Sequence, residues 1–162
     1  MSAVQQALRL REAGSADLPA LNAVIEHAVM RWNLPERVKR LALPAYRYNL
    51  HDLDALQLWL AEDDSGVVGV AAWEAADARD VAPGQHGLLL HGLYVAPDRQ
   101  GQGVGKQLLA SAVNAARVHG FDGIVVKAQA DARGFFEAQG FVAMAVLDTG
   151  RDYRHRLWKG VV

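Results

Sequence analysis

The sequence predicts a mixed α/β fold, a sheet with helices on both faces. Strand-like and helix-like segments alternate along the whole chain, LLLHGLYV (88–95) and GIVVKA (123–128) read as buried strands, and an amphipathic helix lies between those two. A length of 162 residues suggests one domain, 1–162, with a core large enough to need no staples. With 51% hydrophobic and 22% charged residues, the composition excludes a disordered or fibrous chain.

The elements follow in order. LRLRE (8–12) alternates apolar and charged residues, as a half-buried strand does. Gly14, Ser15 and Asp17 supply turn and N-cap chemistry, and Pro19 fits a first helical turn. Leu18, Leu21, Ile25 and Val29 continue at helical spacing. A second helix starts near Pro35, and Pro44 is expected to end it. LQLWLAE (56–62) and VVGVAAWE (67–74) flank the turn signal DDSG and read as a hairpin. Residues 77–87 are turn-rich, and the buried strand 88–95 follows. Over 103–119, Val104, Leu108, Ala112 and Ala116 recur every four residues, Leu109 and Val113 widen the stripe, and Gly120 stops the helix. The strand 123–128 leads to a short helix at 131–139 that ends at Gly140. FVAMAVL (141–147) and HRLWKGV (155–161) are expected to close the sheet as an antiparallel pair. The two strand–helix–strand crossovers near the C-terminal half are expected to be parallel and right-handed.

Several function classes lose support at once. The absence of cysteine excludes disulfides, thiolate metal sites and a cysteine nucleophile. Six histidines occur without paired-ligand spacing, so no metal site is expected. Lys+Arg 17 against Asp+Glu 18 gives a net charge of -1, which offers no electrostatic case for nucleic acid. No apolar run approaches the ~20 residues of a membrane-spanning helix. MSAVQQALRLREAG has no apolar core of signal-peptide length, so the expectation is a cytoplasmic protein with no membrane partner. Trp32, Trp59, Trp73 and Trp158 read as packing, and Glu62-Asp63-Asp64 reads as an exposed hairpin turn. Arg31, Arg37, Lys39, Arg40 and Arg47 read as a solvated helix face, with recognition of an acidic substrate as the alternative.

The most informative segment is YVAPDRQGQGVGKQLL (94–109), where a buried strand runs through a glycine-dense loop into a helix. Amides in such a turn converge without side chains in the way, and the helix N-terminus adds partial positive charge, which makes a cradle for a phosphate or diphosphate. A Walker-type loop fails, because Gln107 follows Gly105-Lys106 and Gln100 stands where the first glycine belongs. A dinucleotide fingerprint fails too, ending on Lys106 from Gly101 and on Leu108 from Gly103. The plainer alternative is a tight strand-to-helix turn, although three glycines in five residues exceed what a turn requires.

The pattern that fits is Gln/Arg-x-x-Gly-x-Gly/Ala, here Gln100-Gly101-Gln102-Gly103-Val104-Gly105. At these residues the chain resembles the GNAT superfamily of acyl-CoA-dependent N-acetyltransferases. LLLHGLYVAPDRQGQGVGKQLLASAV is similar to the family's central strand, pyrophosphate loop and helix. ADARGFFEAQGF (130–141) resembles its next motif, and RLREAGSADLPAL resembles its common opening. The resemblance implies a mostly antiparallel sheet of about six to seven strands, about four helices and splayed central strands. It implies acetyl-CoA as donor with CoA as product, and a small-molecule or protein amine as acceptor. It also implies that two copies can pair through sheet edges or C-terminal strands, for which LWKGVV could serve.

Carried onto this sequence, the resemblance gives the diphosphate to Gln100, Gly101, Gln102, Gly103, Val104, Gly105 and Lys106, and the pantetheine arm to the backbone of Leu93, Tyr94 and Val95. Gln129 stands where the family often has a pantetheine-contacting Asn, with a solvated loop residue as the alternative. The reaction it implies is direct attack by an amine on the thioester in a ternary complex. The amine must lose a proton, and a base with a pKa near 7 serves best. His91 stands where the family commonly has Glu, and an imidazole of ordinary pKa near 6.5 can do the same work. A buried core histidine or a substrate-shaping residue is the alternative, with Glu62, Glu74 and His86 in reserve as bases. Gly92 would suit a bulge that splays the strand. A strand N–H can stabilise the oxyanion. The family's thiolate-protonating Tyr is replaced by Phe136, which can line the pantetheine channel but donates no proton; Tyr94 and Tyr153 are the substitutes at hand. A thiol of pKa near 8.5 is a fair leaving group unassisted. Two other readings stand beside the enzyme: a non-catalytic acyl-CoA-binding domain of the same fold, and modification of an aminoacyl-tRNA, against which the net charge speaks.

Overall fold

The computed structural model describes residues 7–162, so the part of the N-terminal reading that falls on MSAVQQ lies outside it. Among the described residues there are seven strands, β1 (Arg9–Glu12), β2 (Gln57–Asp63), β3 (Gly66–Ala75), β4 (Gly87–Val95), β5 (Gly123–Lys127), β6 (Val142–Ala143) and β7 (Arg156–Gly160). The same residues hold five helices: α1 (Leu18–Val29), α2 (Glu36–Tyr46), α3 (Leu50–Ala55), α4 (Val104–Val118) and α5 (Arg133–Ala138). The sheet runs in the order β1-β2-β3-β4-β5-β7-β6, parallel at β4–β5 and antiparallel at β1–β2, β5–β7 and β6–β7. The predicted mixed, mostly antiparallel sheet is therefore present, with one helix more than expected. Its contacts group the chain into two compact units: the residues up to Ala72 with Gly92–Leu108, and Trp73–His91 with Leu109–Val162.

In the first unit, Leu21, Val24, Ile25, Ala28 and Val29 form one buried stripe along α1 and share a core with Leu58, Val70, Ala72 and Tyr94. Burying each large aliphatic side chain there contributes about 1.5–3 kcal/mol. Pro44 does not end α2 but lies inside it, and the helix continues to Tyr46. Pro44 falls in the final turn, where its missing N–H costs one bond, and Arg47 N–H still reaches the carbonyl of Leu43 at 3.2 Å. The sequence reading also missed α3. Asn49 opens it with a capping box, its side chain accepting from Asp52 N–H at 3.1 Å while the Asp52 carboxylate accepts from Asn49 N–H at 2.8 Å.

In the second unit, β5 lies between β4 and β7, and the β4–β5 register runs from Gly87↔Gly123 to Leu90↔Val126. Gly123 leaves room for the indole of Trp158, which a Cβ there would strike, and Gly87 makes way for Val81, 2.7 Å from where its Cβ would lie, with Trp158 next at 3.0 Å. The predicted final hairpin is shorter than expected, because β6 holds only Val142 and Ala143. After it the chain leaves the sheet. The Asp152 carboxylate accepts from Leu147 N–H at 3.0 Å and Asp148 N–H at 3.2 Å, a local turn that competes with strand pairing. In the second crossover β5 and β6 both run antiparallel to β7 and so parallel to each other, as expected, with β7 inserted between them. Within LWKGVV, Leu157 and Trp158 are paired on both sides, by β5 and by β6, while Lys159 and Gly160 pair with β5 alone.

Candidate active site

Along β4, burial alternates as the two-residue strand period requires. Leu88, Leu90 and Tyr94 are buried on one face, while Leu89, Leu93 and Val95 are half-buried on the other, where His91 is exposed. His91 is therefore not a buried core histidine. Gly92 has an ordinary backbone conformation. Its requirement is for space: a Cβ would lie 2.5 Å from the Tyr48 hydroxyl and 2.8 Å from the Tyr94 ring. The reason for this glycine is thus close approach of tyrosines.

Beyond β4, a 3-10 turn at Pro97–Arg99 leads into the loop. Gly101 and Gly103 have φ of +78° and +84°, the left-handed region that side chains disfavour, and a Cβ on either would meet nothing within 4 Å. Gln100, Gly101, Gln102 and Gly103 are all exposed. The first bond of the following helix joins Gln107 N–H to the Gly103 carbonyl at 3.0 Å. The amides of Val104, Gly105 and Lys106 precede it and have no intrahelical acceptor. The first turn of α4 holds Lys106 and no acidic residue. A cation there opposes the helix dipole, an arrangement that suits a bound anion better than an isolated helix. Val104 itself is buried and anchors the helix start.

The reading of Glu62-Asp63-Asp64 as an exposed turn is corrected by the structure. Asp63 is buried, and its carboxylate accepts from the Ser65 amide at 2.8 Å and the Ser65 hydroxyl at 2.5 Å. It also pairs with the Arg99 guanidinium, which donates to the Ser65 hydroxyl at 3.0 Å as well. The Ser65 hydroxyl first, then the Ser65 amide and Arg99, hold the Asp63 carboxyl below its ordinary range against the opposing effect of burial. No local pattern signals this contact, because Arg99 lies 36 residues away.

In the second unit, Gln129 is half-buried just past β5, and its carbonyl accepts from Ala132 N–H at 3.0 Å. Phe136 is buried, packed edge-on against Phe135 and Phe141 at centroid distances of 5.1 and 5.3 Å. Of the two substitute hydroxyls, that of Tyr94 is pushed above its ordinary pKa by burial, with a further contribution from Tyr46, which makes it a poorer proton donor. Tyr153 is exposed, and its hydroxyl donates to the Ala128 carbonyl at 2.7 Å.

The reserve bases separate. Glu62 receives the Arg11 guanidinium at 3.0 Å, which holds its carboxyl below the usual range and weakens it as a base. His86 stands ahead of β4, with its ring on Phe121 at a centroid distance of 4.5 Å and its backbone N–H donating to the Asp122 carboxylate at 2.7 Å. Glu74 is half-buried on β3. Of the basic residues, Lys39 turns inward, its ammonium donating to the carbonyls of Met30 at 2.7 Å and Trp32 at 3.3 Å beyond α1. Arg40 pairs with Glu36 at 3.4 Å and Arg47 with Glu26 at 3.1 Å, while Arg31 and Arg37 are exposed. Among the described residues, no group of three or more His, Cys, Asp or Glu could hold a metal ion, and no helix is long and apolar enough to cross a membrane.

The family model of an acetyltransferase (GNAT) domain matches residues 54–143, more than half of the chain. No curated protein matches. Among solved structures, a GNAT family acetyltransferase from Brucella melitensis in complex with acetyl-CoA superposes with a TM-score of 0.65 at 22% identity, covering 96% of this chain and 89% of that one. The PaiA N-acetyltransferase from Thermoplasma acidophilum, in complex with coenzyme A, gives 0.74 at 16% identity, covering 95% and 99%. AtaT complexed with acetyl-methionyl-tRNAfMet gives 0.62 at 17% identity, covering 95% of each chain. At these identities the structural likeness is one of fold.

Proposed function

The chain belongs to the GNAT acetyltransferase family, and from that premise we propose that it moves an acetyl group from acetyl-CoA to a primary amine, a small-molecule or protein amine, in the cytoplasm. One observation carries the reading: Gly101 and Gly103 hold an exposed left-handed loop at the start of α4, with Lys106 in its first turn. Converging amides, a helix N-terminus and one cation suit a diphosphate, and the Brucella and Thermoplasma proteins are complexes with acetyl-CoA and CoA.

In this reading the loop from Gln100 to Lys106 takes the diphosphate. The backbone of Leu93, Tyr94 and Val95 takes the pantetheine arm, with Gln129 and Phe136 bordering it. His91, exposed on β4, accepts the proton that the attacking amine releases. The amine nitrogen bonds to the thioester carbon, the carbonyl oxygen becomes an oxyanion held by a strand N–H, and the C–S bond breaks as the oxyanion collapses. Phe136 offers the departing thiolate no proton, so it leaves as a thiolate of ordinary pKa near 8.5.

The phenyl ring at 136 also favours a second reading, a domain that binds acyl-CoA without turnover. Free-thiol release with an amine pool separates the two. The enzyme reading predicts turnover in the wild type and a fall of about a hundredfold in His91→Ala. Turnover that His91→Ala leaves intact at every pH removes His91 as the base, and acetyl-CoA binding with no turnover on any amine favours the second reading. AtaT, complexed with acetyl-methionyl-tRNAfMet, keeps a tRNA-borne acceptor in view. The net charge of -1 speaks against it, and no tRNA binding at physiological salt is predicted.

A further inference from the structure

We propose that Asp63 is a positioning residue for the diphosphate-binding loop, acting through Arg99; this rests on the reading that the loop holds the diphosphate of acetyl-CoA. A two-residue hairpin turn does not need Arg99, since the Ser65 amide and hydroxyl already donate to Asp63 Oδ1. The second carboxylate oxygen is given to Arg99. A buried carboxylate is retained at a cost unless it is fully paired, and this one is paired to the residue immediately before Gln100.

The hairpin holds the loop at both ends. Ahead of it, Ala96 N–H donates to the Val68 carbonyl of β3 at 2.9 Å, Arg99 N–H closes the 3-10 turn on the Ala96 carbonyl at 2.9 Å, and the Arg99 guanidinium is tied to Asp63 and Ser65. Behind it, Val104 and Leu108 sit over Gly69 of β3, where a Cβ would lie 2.7 and 2.8 Å from their methyl carbons. Between these two anchors, Gln100 to Gly103 are exposed and contribute no packing. Fixing both ends of an exposed loop presents its amides in one arrangement before the ligand arrives, and a site built this way loses affinity when its support shifts. The guanidinium is committed to Asp63 and Ser65, so Arg99 is a support for the loop.

The test compares acetyl-CoA with S-acetylpantetheine, which carries the same thioester and arm without the diphosphate, by NMR titration of the wild type, Asp63→Asn and Arg99→Gln. Asp63→Asn keeps an acceptor for the Ser65 turn and removes the charge; Arg99→Gln removes the tether and leaves the hairpin turn intact. Both variants are expected to weaken acetyl-CoA about tenfold or more, since shifting preorganised groups by ~1 Å is enough for such a loss, and to leave S-acetylpantetheine within about twofold of wild type. Folded variants that bind acetyl-CoA as the wild type does, or that lose both ligands equally, overturn the positioning role. A wild type that ignores acetyl-CoA overturns the reading beneath it and the positioning role together.

Discussion

Two sets of glycines in this chain do opposite things. Gly101 and Gly103 have positive φ and open space around them, whereas Gly69, Gly87 and Gly123 have ordinary backbone conformations and neighbours closer than a Cβ allows. The first set is required for the path of the chain, the second for the room it leaves to Val81, Val104, Leu108 and Trp158. The difference teaches where to look for a ligand. A glycine that makes way for a core side chain explains itself, while two left-handed glycines in the open, at the start of a helix with a lysine in its first turn, leave amides directed at solvent.

The contrast can be broken in order of size. Gly123→Ala has the largest expected effect on stability, because the new methyl strikes the Trp158 ring and lies 2.5 Å from the Lys159 carbonyl oxygen, a backbone atom that cannot swing away. Chemical denaturation should show a loss of about 3 kcal/mol, the upper end for overpacking; a loss below about 0.5 kcal/mol would mean that Trp158 repacks freely. Gly103→Ala meets no atom and strains only the backbone, so the same measurement should show about 1 kcal/mol. A loss in Gly103→Ala as large as in Gly123→Ala would erase the distinction between the two sets.

The smallest effect lies far from the loop, at Arg11. Its guanidinium donates to both oxygens of Asp17 at 2.8 Å, and these bonds, with the Gly14 amide, lower the Asp17 pKa to about 2. A carboxyl whose folded pKa is depressed adds stability that is complete above its unfolded value, about 3.9, and is lost as pH falls through the folded one. The stability gap between wild type and Arg11→Gln should therefore be constant above about pH 5 and shrink between about pH 4 and pH 2. A gap that persists unchanged at pH 2 would show that Arg11 acts through packing.

Much of this architecture was legible locally. The four-residue recurrence from Val104 to Ala116 marks α4, and the glycines ahead of it mark the loop, because helical amphipathicity and left-handed turns are written in neighbouring residues. What escaped was short or distant. The helix α3 spans six residues, too few for a periodic stripe, and only the Asn49–Asp52 cap announced it. FVAMAVL reads as a strand by its apolar content, yet only Val142 and Ala143 pair, and Leu147 is 85% exposed, since the Asp152 turn draws the chain out of the sheet after β6. Asp63 and Lys39 look like surface charges because their partners are set by tertiary structure. The His91 position was legible only through the family pattern; its exposure on β4 came from the fold.

Everything proposed for this site depends on whether the exposed loop holds acetyl-CoA. Isothermal titration of acetyl-CoA into the wild type and into Gly103→Glu, which sets a negative charge and a strained backbone among the loop amides, tests that directly. Micromolar binding by the wild type and none by the folded variant are expected. Wild-type protein that takes up neither acetyl-CoA nor CoA, or a Gly103→Glu variant that binds as tightly as the wild type, would contradict this expectation.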